Sequence, residues 1–332
     1  MNEKLLEVRD LKTHFFTPDG VVKAVDGVSF ILNKKEVLGI VGETGSGKSV
    51  TALSILNLIP QPFGRIVGGR IMFDGVDIAG LGQKQIQKYR GNRISMVFQD
   101  PAASLNPVYT VGNQIMESIM IHQKIDKRSA RKKAMRLLDM VGIPEPQRRL
   151  NSYPHQFSGG MRQRVMIAMA LANSPSILIA DEPTTALDVT IQAQILELMV
   201  DVMNKTGSSI ILITHDLGVV AKYADKVMVM YGGKPVEFSD IDKIFYEPLH
   251  PYTNGLMGSI ARLDSKKKDR LTTIDGSPPS LIDLPPGCIF YPRCKYRMEG
   301  CARSYPRFKE VKPGHHVACH RHAEFLKEEA DG

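Results

Sequence analysis

The sequence of 332 residues predicts an α/β fold with a parallel β-sheet covered by helices on both faces. Three short apolar runs, at 36–41, 176–180 and 209–213, have the composition of buried strands. The first run precedes a helix predicted from about residue 48 to 58, and apolar spacing predicts another helix over 189–203. Apolar strands that alternate with helices are typical of such a sheet.

Two other segments predict additional structure around this core. The first 35 residues and the segment 69–77 alternate like shorter strands, which indicates a separate antiparallel sheet. The segment 110–141 has a helical pattern rich in Lys and Arg, and we place a helical subdomain at about residues 100–165.

Composition changes near residue 260, and every cysteine lies beyond that point. We therefore predict one domain over 1–260 and a loop-rich, metal-binding extension over 261–332. The run Lys266-Lys267-Lys268 is interpreted as a solvated linker between them.

The overall composition excludes several classes of protein. Hydrophobic residues make up 43% and charged residues 23% of the chain, a globular balance that excludes general disorder. The longest apolar runs are far shorter than the ~20 residues that a membrane helix needs. The start, MNEKLLEVRDLK, lacks the apolar core of a signal peptide, so we expect a cytosolic location unless a partner holds the chain at a membrane. The net charge of +8 suits nucleotide phosphates or a membrane-facing position.

A glycine-rich segment carries the clearest chemical signal. It matches the phosphate-loop pattern G-x-x-x-x-G-K-[ST] in full, and it lies between a predicted strand and a predicted helix. Backbone N–H groups of such a loop and the helix N-terminus bind phosphates. Lys48 is expected to reach the β- and γ-phosphates, and the Ser49 hydroxyl to bind Mg²⁺. The candidate ATP-binding residues of this loop are Gly42, Glu43, Thr44, Gly45, Ser46, Gly47, Lys48 and Ser49.

Two adjacent acidic residues follow the second apolar run. Asp181 is expected at the carboxyl end of a buried strand, where ligands gather in α/β sheets, and is assigned to Mg²⁺ through water. Glu182 comes next and is the candidate for polarising the attacking water.

The segment Phe157 to Arg164 contains Ser158-Gly159-Gly160 before an apolar helix, which predicts an N-cap and a second anion-binding turn. At this position it strongly resembles the signature sequence of ATP-binding-cassette (ABC) ATPases, with Met161 in place of the usual Gln. The resemblance covers about residues 5–260 and implies a RecA-like sheet core.

Three further segments match the family in order, and one aromatic residue matches it by position. Val97-Phe98-Gln99-Asp100 resembles the Q-loop, which implies that Gln99 senses metal and water. Ala186-Leu187-Asp188 resembles the D-loop at the dimer seam, with Asp188 near ATP, and Ile213-Thr214-His215-Asp216 resembles the switch loop with its catalytic histidine, His215. Phe15 occupies the place of the aromatic ring that stacks on adenine, with Phe16 as the alternative.

The family resemblance implies a head-to-tail pair of ATPase subunits, each ATP lying between the phosphate loop of one and the Ser-Gly-Gly turn of the other. The chain has one cassette, so a transport role requires separate membrane subunits. The segments 99–107 and 250–253 and the Cys-containing tail resemble ATPase subunits of dipeptide and oligopeptide importers. This implies a homo- or heterodimer at the cytoplasmic face of the membrane, bound to two permeases and served by an extracytoplasmic peptide-binding protein.

Two other functions remain open on the sequence. Nickel importers share much of the pattern, and a soluble ABC ATPase that acts on DNA or ribosomes is the alternative from another class. Basic residues between 124 and 136 would suit the latter, but such a run is usually a solvated helix face, and we expect no nucleic-acid partner.

The four cysteines are spaced x5, x6 and x17, without a C-x2-C knuckle. Four thiolates suit tetrahedral Zn²⁺ or a [4Fe–4S] cluster equally well, and free thiols are the third alternative. The tail resembles that of importer ATPases whose four cysteines hold [4Fe–4S], which favours the cluster. The candidate ligands are Cys288, Cys294, Cys301 and Cys319, and His315, His316 and His320 lie near enough in sequence to replace one of them.

Overall fold

The computed structural model describes residues 3–100, 104–184, 188–258 and 274–325. The chain divides into two compact units. The first unit consists of Met1–Lys4, Asn33–Glu36 and Gly80–Ile213, and the second of Leu5–Leu32, Val37–Ala79 and Thr214–Gly332. The predicted boundary at residue 260 and the linker Lys266-Lys267-Lys268 lie outside the described residues.

The strands of the described residues, in chain order, are β1 (Lys4–Thr17), β2 (Gly20–Asn33), β3 (Val37–Val41), β4 (Gly64–Phe73), β5 (Val76–Asp77), β6 (Ile94–Val97), β7 (Ile177–Asp181), β8 (Ser209–Thr214), β9 (Lys226–Tyr231), β10 (Lys234–Asp240), β11 (Lys309–Lys312) and β12 (His315–Val317).

The α-helices have these bounds: Lys48–Ile55, Gln83–Ile86, Val111–Met120, Lys127–Met140, Pro146–Arg149, Gly159–Ala170, Val189–Thr206, Leu217–Tyr223, Ile241–Tyr246, Pro251–Gly258, Glu299–Arg303 and His322–Phe325. Two single-turn 3-10 helices span Pro154–Gln156 and Tyr291–Arg293. In the part of the chain that the structure describes, we find no helix with the length and apolar character of a membrane span.

The predicted antiparallel sheet is confirmed in the second unit, in the order β2-β1-β4-β5. Its strands are longer than the sequence pattern indicates, because a β-bulge interrupts the alternation of β1 between Arg9 and Thr13. Opposite the bulge, Gly69 adopts a φ of +91°, and a Cβ there would lie 2.6 Å from the carbonyl oxygen of Asp10. A glycine is therefore required where the two backbones approach.

The second unit also contains a mixed sheet in the order β11-β12-β10-β9-β3. All five residues of β3 are buried, as expected for a parallel strand covered on both faces, and β3 pairs in parallel with β9. Strand β12 pairs antiparallel with β10, and β11 pairs antiparallel with β12. Residues of the Cys-containing tail thus extend the sheet that carries the phosphate loop.

The first unit contains the three parallel strands β8, β7 and β6, in that order, together with the predicted helical segment. Asp126 caps the N-terminus of helix Lys127–Met140, and its carboxylate accepts a 2.7 Å hydrogen bond from the backbone N–H of Ser129. This helix buries Ala130, Ala134, Leu137 and Leu138 at helical spacing, and most of its basic side chains are exposed. The exposure fits a solvated helix face.

Candidate functional site

The phosphate loop has the predicted strand–loop–helix context, between β3 and helix Lys48–Ile55. Gly42 and Gly47 have φ values of +152° and +101°. A Cβ on Gly42 would lie 2.2 Å from the Met230 carbonyl oxygen, and one on Gly47 would lie 2.3 Å from that of Ala24. These positions require glycine for two reasons. A Cβ would clash with the neighbouring backbone, and the loop needs a positive φ here to turn around the helix N-terminus.

Lys48 is the buried cation of this loop, with a relative exposure of 5%. Its Nζ donates hydrogen bonds to the carbonyl oxygens of Gly42, at 2.8 Å, and Glu43, at 3.0 Å. The ammonium group therefore lies inside the curve of the loop, beside the helix N-terminus. That position suits a role in binding phosphate.

In the first unit, Asp181 is the last residue of β7 and is buried, and Glu182 follows it. Glu182 has a φ of +44°, which is uncommon for a residue other than glycine, and its N–H donates a 2.9 Å hydrogen bond to the Ile213 carbonyl. Its Oε2 accepts a 3.2 Å hydrogen bond from Nε2 of Gln99. The structure thus brings together Gln99 and Glu182, two residues for which the sequence predicted catalytic roles.

The Ser-Gly-Gly turn in the same unit has the predicted cap. The Ser158 hydroxyl accepts a 3.3 Å hydrogen bond from the N–H of Met161, at the start of helix Gly159–Ala170. A Cβ on Gly160 would lie 3.0 Å from Ile191, in the first turn of helix Val189–Thr206. Asp188 caps that second helix by accepting a 3.0 Å hydrogen bond from the N–H of Ile191. Ala186 and Leu187 of the predicted D-loop lie outside the described residues.

The other predicted site residues are in the second unit. His215 directly follows β8 and is exposed, and Asp216 caps helix Leu217–Tyr223 by accepting hydrogen bonds from two of its N–H groups. Phe15 is half-buried beside Gly64 on β4, whereas Phe16 is 42% exposed with the Arg65 guanidinium 5.6 Å from its ring centre. Both phenylalanines remain candidates for stacking on adenine.

The four cysteines line a single narrow cavity, together with His250, Pro251, Phe290, Tyr291, Tyr296, His320 and Arg321. Burial, with a smaller contribution from the neighbouring cysteines, raises the pKa of Cys288 to about 11 and that of Cys319 to about 12. Burial also raises the pKa of Cys294. Among the described residues, no three His, Cys, Asp or Glu side chains are grouped so as to hold one metal ion.

His315 is not part of that cavity, although the sequence placed it among possible ligands. Its Nε2 lies 2.7 Å from Oε1 of Glu237, and both side chains are completely buried. Glu237 also accepts hydrogen bonds from the backbone N–H groups of Leu249, at 2.6 Å, and His250, at 3.0 Å. His315 therefore has a structural role, because it fastens β12 to β10 through a buried pair.

Two residues of the second unit could not be singled out from the sequence. The Tyr252 hydroxyl accepts a 2.8 Å hydrogen bond from the N–H of Glu43, in the phosphate loop. Arg293 binds the Glu43 carboxylate with both terminal nitrogens. The only sequence signal for Tyr252 was its segment 250–253, and Arg293 gave none beyond its position next to Cys294.

Comparisons with known proteins agree with this arrangement. The family described as "ABC transporter" matches residues 25–185, and "Oligopeptide/dipeptide transporter, C-terminal region" matches residues 236–301. The dipeptide transport ATP-binding protein DppD of Bacillus subtilis is 54% identical over 96% of this chain and 94% of its own length. The oligopeptide transport ATP-binding protein OppD of the same species is 54% identical over 95% of this chain and 88% of its own.

Solved structures show the same fold. A dimeric ATP-binding cassette in a post-hydrolysis state, bound to ADP and Pi, superposes with a TM-score of 0.64 at 26% identity, covering 71% of this chain and 98% of that one. The cassette cbiO1 of Clostridium perfringens, part of an ABC transporter complex, gives 0.62 at 29% identity, covering 74% of this chain and 92% of its own. The chain belongs to the ABC transporter family, among the ATP-binding subunits of the dipeptide and oligopeptide transport group.

Proposed function

We propose that the chain is the ATP-hydrolysing subunit that powers peptide import through separate membrane permeases. The observation that carries the proposal is the complete phosphate loop together with Gln99 hydrogen-bonded to Glu182 at the end of β7. The peptide cargo is supported by 54% identity, over almost the whole chain, to an ATP-binding protein of dipeptide transport.

Each predicted residue has a chemical role in this proposal. The backbone of the phosphate loop and the Lys48 ammonium group bind the β- and γ-phosphates. Ser49, Gln99 and Asp181 would hold Mg²⁺, which would neutralise the charge that develops on the phosphates. Oxygen donors of these three types fit a Mg²⁺ site. Glu182 acts as general base toward the attacking water, and its contact with Gln99 orients the carboxylate.

Four further groups complete the site in the proposal. His215 contacts the γ-phosphate as the switch residue, and Phe15 or Phe16 stacks on adenine. The capped helix behind Ser158, with Gly159 and Gly160, presents its N-terminus to the ATP of a second ATPase subunit, and Asp188 lies at the same seam. A helix N-terminus that faces the γ-phosphate closes the side that the phosphate loop leaves open.

The partners follow from the transport role. The second ATPase subunit is identical or related to this chain, and the pair binds two permease subunits at the cytoplasmic face of the membrane. An extracytoplasmic peptide-binding protein delivers the peptide to the permeases, so this chain does not itself contact the cargo.

The tail holds a [4Fe–4S] cluster in this proposal, with Cys288, Cys294, Cys301 and Cys319 as ligands. Two observations support the fit: the four thiols line one cavity, and burial, followed by the charges of neighbouring cysteines, raises the pKa of Cys288, Cys294 and Cys319 as free thiols. Ligand cysteines bind as thiolates, so a cationic group would stabilise all four at once. Zinc would need the four sulfur atoms within ~2.3 Å of one point, whereas each thiolate of a cubane binds a different iron.

Growth on peptides tests the function in the cell. The encoding gene is deleted in a strain that must obtain one amino acid from a dipeptide, and the deletion is complemented with wild type, Glu182→Gln or Glu117→Gln. Glu117 is an exposed carboxylate of the first unit and serves as the matched control. Wild type and Glu117→Gln should restore growth on the dipeptide, Glu182→Gln should not, and all strains should grow on the free amino acid. Unimpaired growth of the deletion strain with loss of nickel uptake would contradict the peptide assignment.

A further inference from the structure

The second residue of the phosphate loop is paired with an arginine of the tail. Arg293 Nη1 lies 2.6 Å from Glu43 Oε2, and Arg293 Nη2 lies 3.0 Å from Glu43 Oε1. This two-pronged geometry is the strongest form of an arginine–carboxylate pair. The Arg293 side chain is only 5% exposed and that of Glu43 26%, so water screens the pair little.

Other groups of the second unit hold Arg293 in place. Its Nε donates a 2.9 Å hydrogen bond to the Asp275 carbonyl, and its Nη2 donates one of 3.1 Å to the Ile274 carbonyl. Nη1 also donates a 3.4 Å hydrogen bond to the Tyr231 hydroxyl. A guanidinium with this many fixed acceptors has one orientation, which it imposes on the carboxylate it binds.

The backbone of Glu43 connects this fixed side chain to other groups of the phosphate loop and to Tyr252. Its N–H donates to the Tyr252 hydroxyl at 2.8 Å. Its carbonyl oxygen accepts hydrogen bonds from Lys48 Nζ, at 3.0 Å, and from the N–H of Ser46, at 3.2 Å. The residue that Arg293 binds is therefore one of the two, with Gly42, whose carbonyl oxygens hold the phosphate-binding lysine.

The same tail segment also borders the cysteine cavity. Arg293 is the last residue of the turn Tyr291–Arg293, which lies between Cys288 and Cys294, and both cysteines line the cavity. Phe290 packs against the ring of Tyr252, with centroids 5.4 Å apart. One short segment thus lines the cysteine cavity, supplies the arginine that binds Glu43 and contacts Tyr252, which also binds Glu43.

We propose that Arg293 is a positioning residue of the ATP site, through which the tail holds the phosphate loop of its own chain in the shape that receives ATP. This inference rests on the proposed function, because it presupposes that the loop binds ATP. Arg293 acts through Glu43 and Lys48, and a loop that is already in its binding shape loses less entropy when ATP binds. The effect therefore falls on nucleotide affinity and KM, with kcat near the wild-type value.

The test is direct titration of the full chain with a fluorescent ATP analogue, alongside steady-state kinetics. Arg293→Gln should raise the Kd by ~10-fold, within the usual range for coupling between sites. Arg293→Lys should give an intermediate Kd, because lysine keeps the charge but not the two-pronged geometry. Arg303→Gln is the matched control: it breaks a tail ion pair with Glu299 at 3.1 Å in which both side chains are exposed, and its Kd should equal that of wild type.

A double-mutant cycle separates positioning from stability. Glu43→Gln and Arg293→Gln should have non-additive effects on Kd, because each removes the same pair. A lower melting temperature with an unchanged Kd in the folded protein, or additive effects on Kd, would overturn the inference while leaving the proposed function intact. If wild type itself fails to bind the analogue, and Lys48→Ala behaves identically, the proposed function fails, and this inference fails with it.

Discussion

Gln99 donates a hydrogen bond of 3.2 Å from its side-chain amide to Oε2 of Glu182. The two residues are 83 positions apart in the sequence and follow the ends of the adjacent parallel strands β6 and β7. The carboxyl ends of parallel strands meet at the same edge of a sheet, which explains why the two side chains meet. The contact gives one oxygen of the carboxylate a hydrogen-bond donor from the neighbouring strand end.

Glu182→Gln should reduce ATP hydrolysis by at least ~100-fold, the scale expected for the loss of a general base. ATP binding should persist, because the phosphate loop and Lys48 are untouched, and the variant should accumulate as an ATP-bound dimer. Phosphate release and size-exclusion chromatography with ATP measure the two effects. Glu117→Gln is the control and should hydrolyse ATP as wild type does. Normal hydrolysis by Glu182→Gln would show that Glu182 is not the general base, and His215 would be the next candidate.

Lys48→Ala should weaken ATP binding by at least ~30-fold. Lys48 is 5% exposed, and removal of one partner from a buried charge interaction costs about 2–5 kcal/mol. Isothermal titration with ATP measures the loss. Lys88 is an exposed lysine, and Lys88→Ala should bind as wild type does. Equal affinities in the two variants would contradict the phosphate-loop assignment.

The burial of His250 leads us to expect that the folded protein loses stability as the pH falls. Complete burial lowers its pKa to about 3, and its Nδ1 accepts a 3.0 Å hydrogen bond from the N–H of Tyr252, which a protonated ring cannot do. Since the unfolded side chain titrates near pH ~6.5, the unfolded chain binds the extra proton below that value. The free energy of unfolding should therefore fall by about 1.4 kcal/mol from this group between pH 7.5 and 5.5.

Urea unfolding at these two pH values measures this contribution. His250→Asn keeps an acceptor but does not titrate, so its stability should depend less on pH by about that amount. The exposed His155 provides the control, and His155→Asn should keep the wild-type dependence. An undiminished pH dependence in His250→Asn would show that the buried imidazole does not contribute.

Protein purified without oxygen should be brown and carry about four irons and four acid-labile sulfides per chain. Each of the four cysteines changed to Ser should reduce the iron content, because a hard hydroxyl replaces a soft thiolate. Iron and zinc are measured together by mass spectrometry. One zinc per chain without iron would show that the cysteines form a zinc site and not a cluster. A chain with neither metal would show that the cysteines are free thiols.

Local chemistry explains what could be predicted from the sequence. The strands β3, β7 and β8 are buried along their length and apolar except at the ends of β7 and β8, and the phosphate loop and the Ser158 cap are contiguous segments. Boundaries were less accurate. The helix predicted to run to about residue 58 ends at Ile55, and Asn57 then adopts a left-handed φ of +50°, which stops it.

Long-range pairs could not be predicted. Glu43 and Arg293 are 250 residues apart, and no sequence pattern around either residue indicates that the two side chains pair. The tail strands β11 and β12 have four and three residues, too short to show alternation, and they form because β10 offers an edge and Glu237 pairs with His315. The change in composition near residue 260 therefore did not indicate that the described part of the tail belongs to the same compact unit as the phosphate loop.

Uptake of a labelled dipeptide by proteoliposomes tests the central claim most directly. The vesicles contain the two permeases and the ATPase pair, with Mg-ATP on the ATPase side and the peptide-binding protein on the other. The account predicts uptake that requires ATP, stops with Glu182→Gln in this chain and continues with Glu117→Gln. Uptake that persists without ATP, or that is unaffected by Glu182→Gln, would contradict it.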